Sequence, residues 1–180
     1  MECLSKLLEK VVAKRLLHDI RKFNLVPTNQ FGARPHLSTT HARLALVHDI
    51  STTHAHSGCC ASLQFNIQGF FDNISHAVLV RSCRRMGFAP NVCDWLESFL
   101  EGRSAQLQFN AFISDPIPTP TGTPQGSPIS PVLSIIYTAG LLQKSGEWSD
   151  CNLFMYIDDG NILASGPSYK LVAALLTKHF

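Results

Sequence analysis

Two adjacent carboxylates between two apolar runs are the feature that most limits how this chain can fold. Residues 154–163 read FMYIDDGNIL, so Asp158 and Asp159 interrupt an otherwise hydrophobic stretch. Asp159-Gly160 is a dipeptide typical of tight hairpin turns, because Asp and Gly tolerate the positive φ angles that such turns require. The pattern predicts a strand, a turn and a second strand, with both carboxylates at the tip.

The chemistry of this tip has two interpretations. Side by side, two carboxylates repel each other, and a divalent cation would remove that repulsion; Mg²⁺ is a hard cation that prefers oxygen ligands. Taken alone, the stretch also fits an acidic surface turn, since short motifs recur by chance. The rest of the chain has to decide between a metal site and a surface turn.

Composition limits the class of protein. The chain has 180 residues, 45% of them hydrophobic, which predicts one globular domain with its own core. Its formal net charge is only +2, so any contact with nucleic acid must be local. Six cysteines without a CxxC pair, and no recognisable signal peptide, predict reduced thiols in an intracellular protein. The longest apolar tract, around residues 132–142, is too short to cross a bilayer.

Periodicity predicts a mixture of helices and strands. Apolar residues recur at helical spacing from residue 4 to 20, which predicts a helix. Alternation predicts a strand at 61–67 and a second strand or hairpin arm at 105–110. Four prolines between residues 114 and 126 exclude regular structure there. Ser75 is expected to cap a helix. Further helices are predicted around residues 44–50, 76–86, 90–100 and 131–143 and from residue 167 onward.

Four blocks, in order along the chain, resemble the reverse transcriptase of a LINE-type (non-LTR) retrotransposon. QFGARP with the following ST (residues 30–39) resembles the fingers block of that family, and NIQGFFDNISH (66–76) its first palm motif. GTPQGSPISP (122–131) resembles the second palm motif and is the most specific, and YIDD (156–159) is similar to the third. Group II intron reverse transcriptases share the palm motifs, but the fingers block and Ser75-His76 fit LINE-type elements better.

The resemblance implies an α+β fold. We expect a right-hand polymerase palm, with a mainly antiparallel sheet and helices packed on one face, together with partial fingers. Residues 1–58 would be fingers-like and residues 59–180 palm-like. A thumb that grips the primer-template and an endonuclease do not fit within 180 residues, so both are expected to be absent from this chain.

The resemblance also implies a reaction. A DNA primer 3′-hydroxyl attacks the α-phosphate of a dNTP on an RNA template, and two Mg²⁺ ions stabilise the attacking and leaving oxygens. Asp158 and Asp159 match the family's hairpin carboxylates, and the backbone carbonyl of Ile67 would be a further oxygen ligand. RNA template, DNA primer and dNTPs are thus the implied partners, with no membrane. The family's work on chromosomal DNA points to the nucleus, although the chain has no clear localisation cluster.

Four residues match family positions near the nucleotide. Phe71 stands where the family places an aromatic residue under the sugar, as a steric check against a 2′-hydroxyl; an ordinary core phenylalanine is the alternative. Gln125 and Gly126 would lie against the incoming base pair and nucleotide. Arg34 would face the triphosphate or template, since a guanidinium pairs well with phosphate, and a surface arginine is its alternative.

Three positions depart from the family pattern. Asn66 replaces the aspartate of the first palm motif, and its amide oxygen can bind Mg²⁺ but brings no charge. Mutation of a residue that only hydrogen-bonds to a metal ligand costs about 10–100-fold in metal affinity or activity. Replacement of a charged ligand by an uncharged one should therefore cost at least as much. Asp72 matches a structural acidic position and does not replace it. Gln68 and Leu37 replace two basic residues of the family.

Three functional hypotheses follow. The chain is an RNA-directed DNA polymerase domain using Mg²⁺ and dNTPs, a catalytically inactive remnant of one with at most weak nucleic-acid binding, or an unrelated metal-binding or RNA-binding module. The four ordered blocks argue against the third hypothesis. Asn66 favours the second over the first for this chain. The sequence carries no signal for an oligomeric state.

Overall fold

The computed structural model describes residues 3–56 and 58–180, and within these ranges it contains seven helices and seven strands. The helices are α1 (Cys3–Phe23), α2 (Thr39–Ala55), α3 (Phe70–Asn73), α4 (His76–Arg85), α5 (Pro90–Leu100), α6 (Ser130–Ser145) and α7 (Tyr169–His179). The strands are β1 (Cys59–Asn66), β2 (Ser104–Ala105), β3 (Gln108–Phe109), β4 (Phe112–Ile113), β5 (Ile117–Pro118), β6 (Cys151–Tyr156) and β7 (Asp159–Gly166).

The main sheet has three antiparallel strands in the order β1-β7-β6. The central strand β7 forms a hairpin with β6, and β1 pairs along its other edge. Because Asp159 is paired with both Asn66 and Tyr156, the C-terminal end of β1 lies beside the hairpin turn, at one end of the three strands. The antiparallel sheet and the hairpin within it were both predicted.

The sheet has one apolar face and one polar face, as the two-residue period of a strand requires. Leu142 of α6 and Val172 of α7 pack on the apolar face. Helix α2 lies against the polar face, where the Asn152 side chain donates a hydrogen bond of 2.8 Å to Asp49. Helices α6 and α7, which lie in the predicted palm range, thus share one face as expected, and α2, from the predicted fingers range, covers the other. The buried sheet residues of the apolar face are Cys151, Leu153, Met155, Ile162 and Ala164.

A second and larger core lies among the helices. It joins α1, α4, α5 and α6, and Phe70 of the short α3 packs into it. Helix α6 is buried on nearly all sides from residue 132 to 139, where most side chains are apolar and the others are a serine and a threonine. Since α6 contributes to both cores, it fixes the sheet relative to the helical part of the molecule.

The hairpin turn lies before the position predicted from the Asp-Gly dipeptide. Tyr156 pairs with Asp159, so the turn residues are Ile157 and Asp158, and β7 already begins at Asp159. The prediction of an Asp159-Gly160 turn is therefore wrong. Gly160 has a different role: a Cβ there would come within 2.1 Å of the Phe65 ring, so only glycine leaves room for that ring.

The helix starts agree well with the sequence, and so does the hairpin arm after α5. The Ser75 hydroxyl accepts a hydrogen bond of 3.4 Å from the Val78 amide, which confirms the predicted cap of α4. Of the two alternatives for residues 105–110, the structure shows the hairpin arm, divided between β2 and β3. Strand β2 pairs with β5 and β3 pairs with β4, so the two short exposed pairs form one interrupted hairpin outside the main sheet.

Candidate functional site

The four predicted ligand positions meet where β1 ends beside the hairpin turn. Asn66 pairs with Asp159, and the Asn66 Nδ2 donates a hydrogen bond of 3.2 Å to the Asp159 Oδ1. The Ile67 amide donates to the backbone oxygen of Asp158 over 3.2 Å. Asn66 and Asp159 are exposed, whereas Asp158 and Ile67 are half-buried. The fold therefore assembles these residues at an accessible position, at the end of the strands where the hairpin turns.

The donor set fits a hard divalent cation in part. Asp158 and Asp159 offer carboxylate oxygens of the kind that Mg²⁺ prefers. Asn66 turns its amide nitrogen toward Asp159, and a nitrogen that carries two hydrogens cannot bind a metal. Rotation of this amide by about half a turn would present its oxygen instead, still without a negative charge.

The first and second palm motifs are joined by backbone hydrogen bonds. The Gly122 amide donates to the Ile74 oxygen and the Thr123 amide to the Phe71 oxygen, both over 2.8 Å. Gly122 has a φ of 87°, and a Cβ there would lie 2.8 Å from the Asp72 oxygen. Only glycine fits this approach, so the loop that carries Gln125 is held against the short helix α3, which carries Phe71.

His76 adds a side-chain link between the same two parts of the chain. Its Nε2 lies 2.7 Å from the Gly122 oxygen, a distance typical of a short hydrogen bond. His76 is the first residue of α4, whose start is fixed by the Ser75 cap. In the sequence Ser75-His76 is only a family signature, and the structure gives His76 a definite partner.

Phe71, Gln125 and Gly126 lie near one another, although their contact with a nucleotide stays a prediction. Phe71 is half-buried and packs edge-to-face on Phe70, with ring centroids 5.6 Å apart. The Gln125 Nε2 lies 3.5 Å from the Asp72 Oδ1, at the limit of a hydrogen bond. Gly126 has a φ of 80°, and a Cβ there would meet no described atom within 4 Å. The backbone at Gly126 is therefore open to approach.

Arg34 is engaged with the backbone of its own segment. Its Nη1 donates to the Pro27 oxygen over 2.9 Å and to the Gln30 oxygen over 3.3 Å. The side chain is half-buried, and this desolvation lowers the pKa of the guanidinium from its ordinary value. One guanidinium nitrogen is thus used to fix the segment, and the predicted contact with a triphosphate or template stays a prediction.

A cavity of about 540 Å³ lies between α2 and the polar face of the sheet. Asn66 and Asp159 line it, and so does Arg43 of α2. Sequence reasoning did not select Arg43. The only signal was a basic residue in the helix that follows the fingers block, and periodicity cannot show that this residue lines the same cavity as Asp159.

A separate group of possible metal ligands lies at the far end of β6. Asp150, Cys151 and His179 each place one donor atom within 4.8 Å of the others. The His179 Nε2 lies 3.1 Å from the Asp150 Oδ1, and Lys178 lies 3.7 Å from the other oxygen. Sulfur and nitrogen donors suit softer metals than Mg²⁺. This group is therefore distinct from the carboxylate site at the hairpin turn.

Comparison with known proteins decides the family. The model of the reverse transcriptase (RNA-dependent DNA polymerase) family matches residues 1–178. The chain belongs to this family. Members of the family use divalent metal ions and bind nucleic-acid templates and primers. Within the ranges that the structure describes, no helix is both long enough and apolar enough to span a bilayer.

Relatives among curated proteins place this reverse transcriptase domain in the non-LTR retrotransposon group, which confirms the resemblance. A probable RNA-directed DNA polymerase from transposon X-element of Drosophila melanogaster is 30% identical over 140 residues, covering 78% of this chain and 15% of the relative. The RNA-directed DNA polymerase from mobile element jockey of Drosophila funebris is 27% identical over 175 residues, or 97% of this chain and 18% of the relative. The chain thus spans less than a fifth of these relatives.

Solved structures support the fold. Apo telomerase from Candida Tropicalis, truncated from its C-terminal domain, superposes with a TM-score of 0.69 at 14% identity, covering 95% of this chain and 36% of that one. The apo telomerase of the same organism gives a TM-score of 0.68 at 12% identity, covering 98% of this chain and 33% of that chain. At these identities the likeness concerns the fold alone.

Proposed function

We propose that this domain carries out RNA-directed DNA synthesis, transferring a nucleotide from a dNTP to a primer 3′-hydroxyl, and that Asn66 weakens its metal site. The observation that carries the proposal is the direct pairing of Asn66 with Asp159 beside Asp158. An aspartate at position 66 would complete a group of three carboxylates, one at the end of β1, one in the hairpin turn and one at the start of β7. That arrangement has no structural benefit without a cation, because its members repel each other.

Asp158 and Asp159 are the residues that would hold Mg²⁺, with the Ile67 carbonyl as a further ligand. When bound, the metal ions would stabilise the attacking and leaving oxygens. In this chain Asn66 would contribute an uncharged oxygen at best. Its amide also donates to the Asp159 Oδ1, and a hydrogen-bond donor competes with a cation for that oxygen. Both effects lower cation affinity at this position.

Phe71, Gln125 and Gly126 would receive the nucleotide. The support is their location on helix α3 and on the proline-rich loop before helix α6, which are fixed to each other through Gly122 and Thr123. Phe71 would exclude a 2′-hydroxyl, and the open backbone of Gly126 would allow close approach of the nucleotide. Arg34 would act nearby only if the guanidinium nitrogens not used on Pro27 and Gln30 reach the ligand.

The division into parts follows the order of the blocks. Residues 1–58 would act as fingers and residues 59–180 as palm, with RNA template and DNA primer as partners. Arg43 supports a polyanionic partner on the α2 side, because it lines the same cavity as Asn66 and Asp159. A guanidinium at that position would offset the negative charge of a phosphate backbone.

An inactive remnant of the domain is the second candidate function. It is favoured by Asn66 in a ligand position and by Gln68 and Leu37 where the family has basic residues. Such a remnant would keep the fold and at most weak affinity for nucleic acid. The two candidates differ in whether restoring one carboxylate restores chemistry.

The experiment is Mg²⁺-dependent primer extension on an RNA template by the Asn66→Asp variant and the unmodified chain. Asn110→Asp is the matched control, since it adds the same charge at an exposed turn outside the main sheet. The proposal expects extension by Asn66→Asp, with little or none by the unmodified chain and the control. Silence of a folded Asn66→Asp variant would favour the remnant. Equal extension by all three would show that Asn66 does not weaken the site.

A further inference from the structure

Gln30 is a fully buried amide that joins three separate parts of the molecule. Its side chain is 0% exposed. The Oε1 accepts hydrogen bonds from the Ile157 amide over 3.3 Å and from the Gly32 amide over 3.1 Å. The Nε2 donates to the Thr138 hydroxyl over 3.2 Å. One side chain thus connects the hairpin turn, its own segment and helix α6.

The turn that Gln30 contacts has a demanding backbone conformation. Ile157 has a φ of 63°, in the left-handed region that β-branched residues strongly disfavour. Such a conformation persists only where the surrounding structure determines it. The hydrogen bond from the Ile157 amide to Gln30 is one such determinant, because it fixes the direction of the peptide group that enters the strained residue.

Close packing of Gly32 is the second determinant. A Cβ at Gly32 would lie 2.5 Å from the Ile157 Cγ1 and 2.6 Å from the Ile157 nitrogen. The backbone of Gly32 therefore rests directly against the turn. Since Gly32 also donates to the Gln30 Oε1, the segment and the turn share one acceptor atom.

Gln30 is itself held from two sides. Its segment runs beside β6 as a parallel bridge: the Phe31 amide donates to the Met155 oxygen over 2.9 Å, and the Met155 amide to the Asn29 oxygen over 3.0 Å. Thr138 donates its own hydroxyl hydrogen back to the Ser134 oxygen over 3.1 Å, so its oxygen lone pairs can accept from Gln30. The support thus extends from the core of α6 to the turn.

We infer that Gln30 is a positioning residue that holds the hairpin turn at Ile157 and Asp158 in one geometry. This inference has one consequence that rests on the proposed function: loss of Gln30 should weaken cation binding by Asp158 and Asp159. A carboxamide suits this place chemically. It accepts from two amides and donates to Thr138 without bringing a further negative charge toward two carboxylates.

The test compares Gln30→Met with its parent in the Asn66→Asp background. Methionine keeps the length of the side chain and removes its polar atoms. Hydrogen exchange of the Ile157 amide is followed by NMR and corrected for any change in the free energy of global unfolding. The corrected exchange rate should rise about tenfold to hundredfold, since a buried donor loses its acceptor. Mn²⁺ affinity, measured by electron paramagnetic resonance, should fall roughly 10–100-fold, as when a group that orients a metal ligand is lost.

Further variants separate positioning from general destabilisation. Gln30→Glu keeps an acceptor for both amides, so it should retain the protection of Ile157. Thr138→Val leaves that acceptor in place but removes its anchor, and should give an intermediate acceleration. Ser145→Ala is the matched control, because it removes a buried hydroxyl of the same helix that bonds to the Leu142 oxygen. It should leave Ile157 exchange and Mn²⁺ affinity unchanged after correction for global stability.

The outcomes are separable from those of the proposed function. If the Ile157 amide exchanges its hydrogen no faster in Gln30→Met than in the Ser145→Ala control, the inference is wrong. It is equally wrong if Mn²⁺ binds Gln30→Met as tightly as it binds the parent. If the parent binds no Mn²⁺, the proposed metal site fails, whereas the exchange of Ile157 involves no metal and still decides the role of Gln30.

Discussion

Asn66 and Asp159 are directly opposed residues of β1 and β7, joined by a hydrogen bond of 3.2 Å between the Asn66 Nδ2 and the Asp159 Oδ1. In this pairing an uncharged amide stabilises the carboxylate that the family would use for metal binding. Asn66 thus faces Asp159 with a hydrogen bond that needs no cation, where an aspartate at position 66 would face it with a repulsion that a cation relieves. The pairing of β1 with β7 at this point therefore does not depend on a bound metal ion.

Restoring the carboxylate should make stability depend on metal. Asn66→Asp places like charges directly opposite each other, which destabilises a strand pair by roughly 0.2–1 kcal/mol. We expect a lower melting temperature than that of the unmodified chain in EDTA, and a larger rise on addition of Mg²⁺. Thermal unfolding with and without Mg²⁺ measures both. An equal Mg²⁺ response of the two chains would contradict the assignment of position 66 to the metal site.

Gly32 should tolerate no side chain. Gly32→Ala forces a Cβ within 2.5 Å of the Ile157 Cγ1 and 2.6 Å of its backbone nitrogen, so the free energy of unfolding should fall by about 1–3 kcal/mol. Gly140→Ala is the control: it lies in α6, and its Cβ would meet only the end of the Arg85 side chain, at 3.0 Å. This helical substitution should be neutral or stabilising by about 0.5–1 kcal/mol. Urea unfolding compares the two, and similar losses would refute the close approach of Gly32.

Gly160 and Phe65 should be energetically coupled. Gly160→Ala brings a Cβ within 2.1 Å of the Phe65 ring and should destabilise the fold by roughly 1–3 kcal/mol. In a Phe65→Ala background the same change should cost much less, giving an interaction energy of about 0.5–3 kcal/mol in a double-mutant cycle. Gly166→Ala at the other end of β7 would meet Leu171 at an ordinary 3.4 Å, so it should combine additively with Phe65→Ala. If Gly160→Ala also combined additively with Phe65→Ala, Gly160 would not be required to leave room for the Phe65 ring.

Elements whose pattern is local were predictable from the sequence. The apolar spacing from residue 4 to 20 gave α1, and Ser75 marked the start of α4 at its observed place. The two acidic residues of the hairpin were found because they interrupt a hydrophobic stretch. Asn66 was placed beside them by the family motifs, and the register of β1 and β7 agrees with that placement.

Features that depend on distant residues were not predictable. The Asp159-Gly160 dipeptide favours a turn locally, but Phe65 on another strand requires the glycine within β7. The contact of Gln30 with Ile157 spans 127 positions in the sequence, so no periodicity reveals it. Arg43 likewise reaches the cavity beside Asp159 only through the placement of α2 against the polar face of the sheet.

The buried Cys83 should lower stability at alkaline pH. Burial, and secondarily the neighbouring Cys93, raise the pKa of the Cys83 thiol to about 12 from an ordinary 9.0. Between these values the unfolded chain releases the thiol proton and the native chain keeps it, so stability falls as pH rises, by up to about 1.4 kcal/mol per pH unit. Well below pH 9.0 both the native and the unfolded chain keep the thiol proton, so the Cys83 thiol causes no loss of stability there. Urea unfolding from about pH 8 to about pH 11 should show a shallower fall for Cys83→Ala, and parallel curves would contradict this.

Ser127, the residue after Gly126, should stabilise its loop through helix α1. Its hydroxyl donates to the Glu9 Oε2, and Glu9 is only 1% exposed although it carries a carboxyl group. Ser5 donates to the other oxygen over 3.0 Å, from the exposed face of the helix. Ser127→Ala removes the buried donor and should lower the free energy of unfolding by about 1–3 kcal/mol, whereas Ser5→Ala should cost less, because water can replace its hydroxyl. Urea unfolding of both variants measures the difference. If Ser5→Ala proves as costly as Ser127→Ala, Glu9 does not link α1 to the second palm motif in the way that the structure indicates.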